Sequence, residues 1–229
     1  MRNRVGGAAL AASGATGVTA VVTAANRLGA LSVTTLAASP REVGEGRVWL
    51  LLSSGLLADR PAIPSLLGFW IVGFAVLLVC SLRVAAGVAV GGHTLSALGV
   101  YGVIGLARLL DPHAFASIVT LSDYGLSAMI AAWLGALACV FWRRHPARLA
   151  RVLIIAGSIG CAGIGLALRP QITFLDTEHL VAYGIGVVLA DGAIRAWLVR
   201  TPRRLGTAAA SVALASPRLL RTARELSGR

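Results

Sequence analysis

Two polar side chains in this sequence are of the types that could do covalent chemistry together. Ser127 lies in Asp123-Tyr124-Gly125-Leu126-Ser127-Ala128-Met129, and His179 lies in Asp176-Thr177-Glu178-His179-Leu180. A hydroxyl paired with an imidazole is the minimum of nucleophilic serine catalysis: the base takes the proton during attack on a carbonyl and returns it to the leaving amine. Gly125 and Leu126 are the candidates for a tight turn that exposes the hydroxyl and presents neighbouring backbone N–H groups to an oxyanion. The cysteines offer no comparable chemistry. Cys80, Cys139 and Cys161 are odd in number, each sits in an apolar run, and no CxxC pair is present, so they read as packing residues. No cofactor and no metal is expected.

The elements that must position these groups are dictated by composition. Of 229 residues, 57% are hydrophobic and 13% charged, and mean hydropathy is +0.81. An ordinary soluble domain carries roughly 25% charged residues, so a water-soluble globular protein is excluded. Six apolar runs approach the roughly 20 residues a helical span needs: Gly6–Ala25, Ile63–Leu82, Val84–Leu106, Leu121–Trp142, Val152–Leu168 and Phe174–Trp197. The expected fold class is an all-α membrane protein, a bundle of six transmembrane helices. Between the first two runs, Val48–Leu57 is apolar but too short to cross, and is expected at the interface or re-entering partway.

All 21 basic residues are Arg, giving a formal net charge of +12. Fifteen of them fall on one side if the N-terminus is cytoplasmic, which favours an even number of spans with both termini inside. The basic excess is thus topological, and nucleic-acid binding is a poor reading. The loop Arg143–Arg151 and the C-terminal tail are expected to touch anionic lipid, at about 1 kcal/mol per Arg near the surface. A basic composition without Lys fits a GC-rich bacterial genome and hence a bacterial inner membrane. The chain divides into an N-terminal span with the start of an outer loop (1–47), a membrane core (48–200) and a basic cytoplasmic tail (201–229).

Depth arithmetic brings the two polar residues together. Counted from Leu121, Ser127 is about 9 Å below the outer face, and His179, counted from Phe174, is about 7.5 Å below it. The interval of 52 residues suffices for one helix inward and one outward. Ala182 and Gly186, three and seven residues after His179, form a small-residue ridge that lets the sixth helix approach the fourth.

At these residues the sequence resembles the rhomboid family of intramembrane serine proteases. Gly125-Leu126-Ser127-Ala128 is similar to the family's GxSG at the start of its fourth helix, and His179 with Ala182 and Gly186 is similar to its His and GxxxG in the sixth. Trp49-Leu50-Leu51-Leu52-Ser53-Ser54 looks like the W-R-L-L-T-S segment of its first outer loop. The resemblance covers roughly Val48 to Arg200. It implies a Ser127–His179 dyad that cleaves membrane-anchored substrates near the outer face. The family's HxxxN, which helps stabilise the oxyanion, has no counterpart in Ile63–Leu82, where there is neither His nor Asn. A catalytically inactive rhomboid-like protein that binds transmembrane clients is therefore the alternative, and a small permease a third.

Other polar residues have plainer readings. Counted from a third span that ends near Ala107, His93 lies about 21 Å from the outer face, out of reach of the dyad, and is expected to make an interhelical hydrogen bond. His113 and His145 read as solvated loop residues. Asp123 and Asp176 read as helix N-caps rather than as groups orienting the serine loop or the imidazole. Asp191 and Arg195, one turn apart, read as a structural pair.

Overall fold

The computed structural model describes residues 2–58, 60–144, 151–152 and 177–193. The chain divides into a compact unit, Met1–Asp191, and a second, Gly192–Arg229. Among the described residues there is no strand, only an isolated antiparallel bridge between Ala38 and Asp123. The long helices are α1 (Arg2–Arg27), α4 (Ala62–Val79), α5 (Leu82–Leu110) and α6 (Ser127–Arg144), with two short ones, α2 (Pro40–Gly44) and α3 (Leu50–Ser53), between α1 and α4. Residues 177–193 are also helical.

Three of these helices, α1, α4 and α5, are long and apolar enough to cross a membrane. The molecule is a helical membrane protein. The expected fifth span, Val152–Leu168, lies almost wholly outside the described residues, as do the start of the sixth, Cys161, His145 and the basic tail.

Two helix ends differ from the sequence reading. The fourth span was expected from Leu121, but α6 starts at Ser127. Leu126, apolar and counted with the span, is instead wholly buried in the loop that leads into the helix. The third span was expected to end at Leu106, but α5 runs for 29 residues. At 1.5 Å per residue that is about 43 Å, longer than the roughly 30 Å hydrocarbon core. Its C-terminal half packs against protein: Ala97, Val100, Tyr101 and Ile104 form one buried cluster with Ala38, Leu50, Leu51 and Val119.

The short apolar piece is part of that cluster. It folds as α3 and a 3-10 turn, Ser54–Leu56, with Leu50, Leu51 and Leu57 buried and Trp49 and Leu52 exposed. Beneath it, α6 packs against both α4 and α5, and α1 lies outside α4. The Trp133 indole of α6 donates to the Ala85 carbonyl (2.8 Å) and its ring meets Phe69 of α4 at 4.7 Å. Cys139 is buried as expected, whereas Cys80, at the C-terminal end of α4, is half-buried.

Candidate active site

Ser127 is the first residue of α6, and the chain reaches it through a bend at Gly125, whose φ of 137° is a conformation that residues with a Cβ rarely adopt. The Gly125 N–H donates to the Ser54 carbonyl (3.2 Å), and Asp123 exchanges two backbone hydrogen bonds with Ala38 (2.7 and 2.9 Å). The Asp123 carboxylate accepts the Tyr101 hydroxyl at 2.6 Å. Asp123 therefore does not cap α6; it fastens the serine loop to the C-terminal half of α5.

The 177–193 helix brings His179 to the same place. Its Nε2 stands 2.8 Å from the Ser127 hydroxyl, and both residues are half-buried. With Nε2 unprotonated, the serine O–H donates to it, the geometry a general base requires. The N–H groups of the first turn of α6 have no acceptor within their own helix, so backbone donors are available beside the hydroxyl.

Close helix contact maintains this distance. A Cβ on Gly186 would collide with the Ala132 carbonyl of α6, and one on Gly135 with the Tyr183 carbonyl. Ala182 is fully buried, and its carbonyl oxygen lies beside Gly92 of α5. Further along, Arg143 pairs with Asp191. The contacts 127 with 179, 132 with 186 and 143 with 191 advance together, so the two helices run in the same direction. Asp191 was expected to pair with Arg195, which lies outside the described residues; among the described residues it pairs with Arg143. Asp176, read as a helix cap, also lies outside them.

A second serine–imidazole pair lies next to the first. His93 Nε2 is 2.9 Å from the Ser54 hydroxyl, while its Nδ1 makes no hydrogen bond and faces Glu178 Oε1 at 3.9 Å. Ser96, three residues further along α5, divides its O–H between Glu178 Oε1 (3.3 Å) and the His93 carbonyl (3.0 Å). Ser54, His93, Ser96 and Glu178 are each at most 2% exposed. The depth count from Ala107 thus misplaces His93. Because the C-terminal half of α5 is covered by protein, the end of its apolar run does not mark a depth; the ring sits at the level of the residue preceding His179, and its hydrogen bond goes to Ser54 in the turn after α3.

Sequence reasoning missed Ser54 and Glu178 as members of this site. The available signal was a carboxylate and two hydroxyl or imidazole groups in otherwise apolar surroundings, each of which needs a partner when buried. His113 is in an exposed turn after Asp111, as expected, with its N–H donated to the Asp111 carboxylate (2.9 Å). No cluster of three or more metal-ligating side chains occurs among the described residues. No protein-family model, curated protein or solved structure matches the chain.

Proposed function

We propose that this protein is a rhomboid-like intramembrane serine protease, with Ser127 as nucleophile and His179 as general base. The observation that carries the reading is the 2.8 Å contact between the two side chains at a glycine-lined junction of two helices running in the same direction. In the reaction, His179 Nε2 takes the Ser127 proton as Oγ attacks a peptide carbonyl. The tetrahedral oxyanion is met by backbone N–H groups at the start of α6, and the proton passes to the leaving amine. Water then repeats the sequence on the acyl-enzyme. The substrates are membrane-anchored proteins, cut near the outer face, where the loop before Ser127 and the Val48–Ala58 segment shape access for water and peptide.

This reading includes six spans with both termini in the cytoplasm of a bacterial cell. It is supported by the shared direction of α6 and the 177–193 helix: one return crossing must join them, and Val152–Leu168 is apolar enough to make it. The arginine-rich inner loop and tail then face anionic lipid.

One observation favours the alternative of a non-catalytic binder of transmembrane clients: α4 contains neither His nor Asn to add a side-chain donor to the oxyanion. Loss of one such donor typically costs about 10²–10³ in turnover. Fluorophosphonate labelling of the detergent-purified chain separates the two. Labelling that disappears in both Ser127→Ala and His179→Ala is the expected result, and a folded wild type that never labels leaves only the binder.

A further inference from the structure

We propose that His93 is a positioning residue for the dyad, holding Ser127 and His179 at reacting distance through groups on either side of its ring. The inference rests on the protease reading above. It starts from the placement of the second serine–imidazole pair. Ser54, the partner of His93 Nε2, also accepts through its carbonyl the N–H of Gly125, two residues before the nucleophile. Glu178, which faces His93 Nδ1, immediately precedes the base. One imidazole on the rigid helix α5 therefore stands between the two segments that carry the reacting atoms, and Ser96 on the same helix holds the Glu178 carboxylate a second time.

The contact is built for closeness. A Cβ on Gly55 would meet the Met129 side-chain methyl and stand 3.1 Å from His93 Cδ2, so the absence of a side chain there lets this segment lie close on the ring. With all four polar side chains enclosed, no solvent replaces a lost partner, and the group left behind must move to find another. The same enclosure denies Ser54 a substrate, so this pair does not act as a second nucleophile and base. Displacement of a catalytic group by about 1 Å can cost about 10²-fold in rate.

The test uses two readouts on the full chain. One is fluorophosphonate labelling of Ser127. The other, independent of proteolysis, is the rate at which iodoacetamide alkylates the thiol introduced by Ser127→Cys, which His179 accelerates when it lies within hydrogen-bonding reach. Adding His93→Ala or Ser54→Ala is expected to slow alkylation about tenfold or more, towards the rate with His179→Ala. His93→Gln, which can still bond Ser54, should recover much of it. Trp133→Phe, which removes the indole bond to Ala85 at the inner part of α5, controls for lost stability and should leave the rate unchanged. An alkylation rate that depends on His179 but not on His93 or Ser54, in folded protein, overturns the inference and leaves the dyad. A rate indifferent to His179 overturns both. A wild type that never labels, with alkylation dependent on His179 and His93, overturns proteolysis and keeps the positioning role.

Discussion

The molecule carries two serine–imidazole pairs of nearly equal length, 2.8 Å for Ser127 with His179 and 2.9 Å for Ser54 with His93. Their surroundings differ. The first stands half-buried at the start of α6, beside first-turn N–H groups. The second is sealed, with a carboxylate across its ring and no surface within reach. The order Ser54–His93–Glu178 even imitates a catalytic triad on paper. Residue types and distances alone therefore do not make a catalytic site; access for a carbonyl and donors for its developing charge do. The sealed pair supplies what the open one lacks, a dry connection between separate segments of chain.

The largest effect that would break this contrast is on the open pair. His179→Ala should lower fluorophosphonate labelling by about 10²–10⁴-fold, the usual contribution of a positioned general base. Ser127→Ala should abolish it with no transfer of label to Ser54. Mass spectrometry of the labelled peptide decides this, and label on Ser54 would mean that the second pair is not sealed.

Next is the junction that holds the open pair. Gly186→Leu sets a side chain against backbone of α6, which cannot yield as a side chain would, and should cost at least about 1–3 kcal/mol. Thermal unfolding in detergent measures the cost, and labelling should fall with it. Tyr101→Phe, which leaves the buried Asp123 carboxylate without its hydroxyl donor, should cost about 1.5–3 kcal/mol. Limited proteolysis after the substitution should find the segment before Ser127 more readily cut. The smallest effect belongs to the exposed Arg41–Glu45 pair, where Glu45→Gln should change stability by less than about 1 kcal/mol by the same thermal measurement.

Much of the open pair was legible in the sequence. Ser127 and His179 could be set at one level because both follow the start of an apolar run, and the error in where α6 begins did not matter once each group was counted from its own end. Ala182 and Gly186 were legible because only small residues allow helix backbones to touch. The sealed pair was not legible, for a physical reason. Hydropathy scores apolar residues alike whether lipid or protein covers them, so the C-terminal half of α5, buried under Leu50 and Leu51, looked like the end of a span. An edge placed there put His93 about 21 Å below the outer face, roughly 13 Å deeper than the dyad. Asp123 was misread because a cap and a loop fastening use the same residue in the same place before a helix. Only the position of Tyr101, 22 residues earlier, decides between them.

The bridge between Ala38 and Asp123 has a kinetic meaning. For the chain just before Ser127 to lift, it must give up both backbone bonds of that bridge, the bond from the Arg41 N–H to the Val119 carbonyl (3.1 Å), the bond from the Gly125 N–H to the Ser54 carbonyl (3.2 Å) and the bond from the Tyr101 hydroxyl to the Asp123 carboxylate (2.6 Å). At a net value of about 1 kcal/mol for each of the four backbone bonds and about 1.5–3 kcal/mol for the bond to the carboxylate, the lifted form is populated about once in 10⁴–10⁵ molecules. A bulky substrate that enters by this route would meet a ready site only in that small fraction, so its apparent affinity would be about 10⁴–10⁵-fold weaker than its true one. Amide hydrogen exchange at Asp123 measures the fraction directly, and protection much above or below about 10⁴–10⁵-fold would revise it.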